Sequence, residues 1–455
     1  MPRNKDESPE DYKKRILDPI SPTFCAAKWL NATILLGAGK TKSCHHPPDH
    51  TIPVQEVQFD HKALHNTKHK MEQRKKMLDG ERPDECSYCW RVEDSGAIAD
   101  RVFYTSFYED DSIKECGDAP FDTVVNPEVL EIAFDRICNF ACSYCNPMFS
   151  TKWGNDIKRN GAYDGLLTPN TRSFTNDGKW AEPYGKLNEN NPYVEAFWKW
   201  WPELSRTLKQ LRITGGEPTM SPHFWKLVDM IKTDGIDDDM QFSVNSNLGI
   251  KDEVLDDLIS FSNSIKRFLL FTSCESHGAQ AEYIRDGLNY EDWKNNLWKV
   301  SEEANLEMLT CMMAVNGLCL DSITDFWDDL LELKRAYGWR YPFLSVNMVH
   351  YPSMMSPLVL PRNILDSYVD NIKQWLAKNE GDKILRDTEE YNIKKLISYL
   401  EHGKEEQVDN NRENHEHDFY HFYRQYDQRR NKSFVDTFSG PLGDWYISLG
   451  KKYNA

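Results

Sequence analysis

Val129-Leu-Glu-Ile-Ala-Phe-Asp135 runs, through Arg136 and Ile137, into Cys138-Asn-Phe-Ala-Cys142-Ser-Tyr-Cys145. The first segment reads as a strand and the second as a C-x3-C-x2-C loop at its end. Three thiolates in one tight loop can hold three irons of a cubane cluster and leave the fourth iron open to a substrate or cofactor. Taken alone, the same cysteines also suit half a zinc knuckle, or buried packing.

Further strands follow this one. Apolar runs at 129–135, 210–214, 240–245, 267–272, 308–314 and 343–349 alternate with helix-period segments at 221–233, 252–262, 290–304 and 322–337. That alternation predicts an α/β region with parallel strands, and six strands fit a partial barrel. The second strand ends in Thr214-Gly215-Gly216-Glu217-Pro218, where paired glycines let backbone approach a ligand and the glutamate offers an acceptor for an ammonium group. Ser246-Asn247-Leu248 ends the third strand, Ser273-Cys-Glu275 ends the fourth, and Arg285 lies twelve residues beyond Ser273. A guanidinium there suits bidentate binding of a carboxylate, while its plain alternative is a solvated helix charge.

The connection 146–209 is long for a compact domain and carries Phe197-Trp198-Lys-Trp200-Trp201, which reads as a helix face packed on the barrel. Upstream, 1–22 reads as a solvated lead-in with one short helix over 9–17. Residues 29–36 read as a strand, Gly37-Ala-Gly39 as a hairpin turn, 40–44 as the returning strand, and 61–79 as a polar helix. Cys25, Gly39 and Cys44 form a C-x13-G-x4-C pattern across that hairpin, and Cys86-Ser-Tyr-Cys89 supplies a second pair. These four thiols can close one site, suited to zinc or to a cluster. His45 and His46 read as exposed loop residues. Two or three helices, with a polar link over 405–414, are expected to end the chain.

With 455 residues, 40% hydrophobic and 28% charged, the composition is that of a folded protein large enough for a barrel-sized domain with additions. A net charge of -17 argues against a sequence-independent grip on nucleic acid. Residues 1–14 hold no apolar core for a signal peptide and no stretch reaches bilayer length, so a cytoplasmic location without membrane contact is expected. The 11 cysteines then favour metal or redox use over disulfides; Cys116, Cys274, Cys311 and Cys319 read as packing residues.

The cysteine loop, Gly-Gly-Glu-Pro, Ser246-Asn247 and the Ser273–Arg285 spacing, in that order on those elements, resemble the radical S-adenosylmethionine (SAM) enzymes over 125–350. The resemblance implies a partial (β/α)6 barrel with a [4Fe-4S] cluster on Cys138, Cys142 and Cys145, the open iron chelated by the SAM amino and carboxylate groups. It implies SAM contacts from Gly215, Gly216, Glu217, Asn247, Ser273, Glu275 and Arg285, with Tyr144 against adenine. Two positions depart from the family pattern: Leu248 stands where relatives carry glycine, so a different turn is expected, and Glu275 replaces an aspartate. The C-x13-G-x4-C element resembles SPASM and twitch modules, which carry an auxiliary [4Fe-4S] cluster, although here it precedes the barrel. A weaker likeness extends to Tyr426-Asp427-x-Arg429-Arg430.

The organisation expected is a lead-in (1–22), a twitch-like β-hairpin module (23–124), the barrel (125–350) and a helical extension (351–455). The implied activity is reductive cleavage of SAM to a 5'-deoxyadenosyl radical that abstracts hydrogen from a peptide or protein, with a flavodoxin- or ferredoxin-type reductant. A twitch-type dehydrogenase of small alcohols or sugars, and a non-catalytic cluster- or zinc-stabilised binding protein, are the alternatives. No acid–base residue is singled out; Cys274, Cys311, His350 and Tyr351 are placed near strand ends.

Overall fold

A computed structural model describes residues 7–175, 190–338, 342–381 and 383–453; within the long 146–209 connection, 176–189 lie outside the described residues. In chain order the strands are β1 (Asn31–Leu35), β2 (Lys40–Lys42), β3 (His50–Thr51), β4 (Val129–Ala133), β5 (Ala141–Cys142), β6 (Gln210–Thr214), β7 (Gln241–Asn245), β8 (Phe268–Ser273), β9 (Arg285–Asp286), β10 (Met308–Val315) and β11 (Phe343–Met348). The six strands read from the apolar runs all form, within two residues of their expected ends. The chain builds two compact α/β units. One comprises Met1–Asp135, Glu182–Gly215 and Thr233–Phe242; the other comprises Arg136–Ala181, Gly216–Lys232 and Ser243–Ala455.

The first unit carries strands in the order β3-β2-β1-β4-β6. β1 and β4 are parallel, as are β4 and β6, so Ala32, Leu130 and Leu211 form one row across the sheet and Ile34, Ile132 and Ile213 another. All six side chains are fully buried. Burying each of the larger ones contributes about 1.5–3 kcal/mol, and Ile132→Ala would leave a cavity at the centre of its row. On the alternate positions Glu131 faces Arg212, an opposite-charge cross-strand pair. The parallel pairing of β1 with β4 adds the N-terminal hairpin to the β4–β6 ladder.

The hairpin turn requires its glycine. Gly39 has φ +62°, and a Cβ there would lie 2.3 Å from the Tyr193 ring. Tyr193 belongs to the helix Pro192–Leu204, which starts with Asn191 capping the Tyr193 and Val194 N–H groups and buries Phe197, Trp200 and Trp201. Phe197 meets Phe134 edge-on at 5.3 Å, so the aromatic run is a packed helix face.

Several local expectations change. Trp29 and Leu30 close a helical turn, Ala27–Leu30, before β1 starts, because Trp29 is fully buried against Phe24 at 5.1 Å. The expected 61–79 helix is broken: Thr67 accepts from Lys70 N–H and starts a fresh helix, Lys68–Leu78, after a short 3-10 turn. The lead-in is not merely solvated, since Tyr12 and Leu17 are fully buried.

In the second unit the order is β7-β8-β10-β11, with β8, β10 and β11 parallel. Helices Asp252–Ser262, Tyr290–Glu303 and Ile323–Tyr337 alternate with these strands. The Lys334–Glu389 pair is fully buried at 2.7 Å, and Glu389 also accepts from Leu344 N–H. One carboxylate therefore ties two helices to β11. The C-terminal region holds more helix than expected: Arg362–Asn379, Asp387–His402, Glu406–Asn410, Arg412–Arg430, Phe434–Thr437 and Pro441–Tyr453. The expected polar link at 405–414 is itself mostly helical, because Arg412–Arg430 buries Phe419, Phe422, Tyr423 and Tyr426 on an otherwise polar sequence.

Candidate functional site

Backbone hydrogen bonds fix the shape of the Cys138–Cys145 loop. Cys138 N–H donates to Thr151 Oγ1 at 3.2 Å, Phe140 N–H points at Cys138 Sγ at 3.4 Å, and Cys145 N–H closes a turn on Cys142 O at 2.9 Å. In the middle, β5 pairs antiparallel with β9, setting Cys142 opposite Arg285. Ser150 both caps the helix Thr151–Asn160 and donates to Phe140 O, and Trp153 Nε1 donates to Cys142 O at 2.8 Å. Burial pushes the Cys138 thiol up to about 12, with Cys142 adding to it, and raises Cys145 further in the field of its two partners. Thiols in this state become ligands by giving their protons up to a metal.

Two carboxylates and one guanidinium stand around the loop. Arg285 is 4% exposed and Glu275 is 0% exposed; Arg285 Nη2 and Nε reach the Glu275 carboxylate at 2.6 and 3.1 Å. Nη1 is directed at Cys142 Sγ, 3.9 Å away, and the guanidinium lies 5.5 Å over the Tyr144 ring, whose hydroxyl donates to Glu275. Glu217 is buried, which raises its carboxyl, while donors from Asn247 N–H, Ser246, Thr219 Oγ1 and Thr219 N–H oppose that shift. Its charge adds to the upward push on the Cys138 thiol. Asn247 in turn bonds Asn139, which donates to Gly249 O. Cys138, Cys142, Cys145, Tyr144, Glu217, Asn247, Glu275 and Arg285 are thus brought together; Ser273 lies at the end of β8, in register with Met312.

Two readings change. The space a Cβ would fill at Gly215 holds Asp135 O (2.6 Å), and at Gly216 it holds Ile137 O (2.2 Å). These glycines let the β6 turn close on the backbone entering the cysteine loop, and Glu217 N–H then bonds Ile137 O at 2.6 Å. Leu248 has φ +52°, so the turn keeps the left-handed residue that a glycine would favour. Its N–H donates to Ser246 Oγ and its carbonyl accepts from Asn296.

Sequence reasoning missed the clamp behind the loop. Tyr426 donates to Tyr283 O and Ala141 O, Asp427 accepts from Tyr283, and Arg430 stacks on Trp153 and Tyr426 at 4.5 and 4.0 Å. Only the Tyr426–Arg430 likeness hinted at it. Cys274, Cys311 and Cys319 are fully buried, whereas His350 and Tyr351 are exposed, with His350 paired to Glu405.

The four N-terminal cysteines form a second constellation. Cys25, Cys44, Cys86 and Cys89 line one narrow cleft, together with Lys28, Ser43, His46 and Arg101. Burial pushes Cys25 up to about 12, with Cys44 and Cys86 adding to it; burial likewise takes Cys89 to about 11, opposed by Arg101 N–H. Among the described residues, no group of three or more His, Cys, Asp or Glu side chains is arranged to hold a metal ion as the side chains stand. The fit to an iron–sulfur cluster at both places rests on the all-thiol donor sets, and at the cleft also on the buried Ser43 hydroxyl, which has no partner among the described residues. Gly39 speaks for the turn and for Tyr193, not for a particular metal. His46 is half-buried, stacked on Tyr88 and bonded to Asp100.

No family model and no curated protein sequence matches the chain. Among solved structures it is similar to the crystal structure of Streptococcus suis SuiB, at 10% identity and a TM-score of 0.35, over 69% of this chain and 63% of that one. The chain thus spans less than two thirds of that protein's length.

Proposed function

We propose that this chain is a radical SAM enzyme built on a partial (β/α)6 barrel, with one cluster on Cys138, Cys142 and Cys145 and an auxiliary cluster on Cys25, Cys44, Cys86 and Cys89. The observation carrying the proposal is the convergence on one loop of three thiols, Cys142 buried and Cys138 and Cys145 half-buried, with the Arg285 guanidinium beside Cys142 and Glu217 bonded through its N–H to Ile137 O, next to Cys138. When bound, cluster and SAM supply reductive cleavage of a sulfonium and a 5'-deoxyadenosyl radical for hydrogen abstraction.

The chain's own groups orient and shield. Glu217 is held by four donors so that its carboxylate direction is preset, Oε2 taking, among the described residues, only the Asn247 N–H. Arg285 is preset by β9 pairing and by Glu275, which must release it before the guanidinium takes an external carboxylate. Tyr144 offers a half-buried ring beside that guanidinium, suited to adenine. Burial of Glu217, Glu275 and Arg285 keeps water from the charged groups. Peptide or protein is the proposed substrate class, and a flavodoxin- or ferredoxin-type protein the reductant.

A second reading, a cluster- or zinc-stabilised binding protein without turnover, draws on the same Glu275–Arg285 pair, because the cation that would meet SAM is already neutralised. Iron analysis after anaerobic reconstitution separates parts of this. About eight irons per chain are expected, falling to about four in Cys142→Ala and to about four in Cys86→Ala. Zinc alone in the wild type defeats the proposal.

A further inference from the structure

The auxiliary cleft carries two polar side chains that the thiol set does not need. Ser43 is 2% exposed, lines the cleft beside Cys44, and its hydroxyl has no hydrogen-bond partner among the described residues. A buried hydroxyl left unpaired is costly, so such an atom at a ligand cleft marks a bond made to the ligand. Lys28 is also 2% exposed. Its ammonium pairs with Glu85, and its side chain lines the cleft together with Cys86. Glu85 is shared with His69 at 2.6 Å, so the lysine's charge is only partly offset at the cleft.

We infer that Ser43 and Lys28 are positioning residues that donate hydrogen bonds to the sulfur atoms of the group held by Cys25, Cys44, Cys86 and Cys89, and raise its reduction potential. This rests on the reading of that site as an iron–sulfur cluster. Reduction adds negative charge to the sulfurs, so an O–H or N–H donor favours the reduced form over the oxidised one. A cation in a site of low dielectric acts in the same direction, and the Glu85 carboxylate acts against it. The signs are therefore distinct: losing Ser43 or Lys28 lowers the potential, and neutralising Glu85 raises it. An auxiliary cluster tuned upward in this way is a sink for an electron leaving the substrate.

The test is a potentiometric titration followed by electron paramagnetic resonance on the full chain, with Cys138, Cys142 and Cys145 all replaced by Ala so that only the auxiliary cluster contributes. In that background S43A and K28Q should shift the midpoint negative at unchanged iron content, S43T should return to the parent value, and E85Q should shift it positive. An S43A midpoint equal to the parent, or an S43T shift equal to that of S43A, overturns the role of the hydroxyl. If S43A fails to hold iron, E85Q decides: an unchanged or negative shift overturns the proposal. A parent that binds zinc and shows no reducible signal overturns the cluster reading itself, and this proposal with it.

Discussion

Glu275 holds the Arg285 guanidinium in a pair from which both water and solvent counter-ions are excluded. Breaking one side of a buried pair costs more than the pair contributes, so Glu275→Gln should lower stability by about 3 kcal/mol, read from urea midpoints. If Arg285 is freed for a ligand carboxylate, added SAM should raise the melting temperature of Glu275→Gln more than that of the wild type. An equal or smaller rise would show that Glu275 does not compete for the same cation. Leu248 poses a question of magnitude. Its left-handed backbone costs about 1–2 kcal/mol, which glycine would relieve, but its side chain is fully buried and truncations of that size cost about 2–5 kcal/mol. The packing loss outweighs the strain, so Leu248→Gly should lower the urea midpoint; a rise would mean that the strain dominates.

Among elements, the two-residue ladder of β5 and β9 is short for the work it does in placing Cys142 against Arg285. Asp286, paired with Ala141, secures it through Lys432 and Lys152. Burial pushes the Asp286 carboxyl up, but the charges of Lys432 and Lys152 outweigh it and hold the group below its ordinary 3.8. A carboxyl lowered by folding contributes stability above its unfolded value and loses it as pH falls through the folded one. Acid unfolding below about pH 4 should therefore weaken in Asp286→Asn relative to its own neutral-pH stability, in urea midpoints taken across pH. A pH dependence identical to the wild type would remove the ladder's charges from the explanation. Strand and site differ in how far they could be read beforehand. The strands were legible because buried parallel strands are continuous apolar runs, and the cysteines because their spacing is local. The β1–β4 pairing was not, since residues 31–35 and 129–133 meet only in space. Neither were Ser43, Lys28 and Asn139, single polar residues whose roles follow from what they touch. The helix Arg412–Arg430 escaped because its charged composition masks a buried aromatic face.

For the molecule as a whole, two α/β units each carry a cysteine constellation with its own polar surroundings. In one, Arg285 and Glu217 flank three loop thiols; in the other, Lys28, Ser43 and Arg101 flank four. Among the described residues no helix is long and apolar enough to cross a membrane. Under the proposed function the two sites divide the labour: Cys86→Ala should still cleave SAM without coupling it to substrate, whereas equal loss of cleavage in Cys86→Ala and Cys142→Ala would make the four-cysteine site structural. The most direct measurement is quantification of 5'-deoxyadenosine from anaerobically reconstituted protein given SAM and dithionite. The expected result is deoxyadenosine from the wild type and none from Cys142→Ala. Iron-loaded wild type that forms no deoxyadenosine would contradict the enzyme reading.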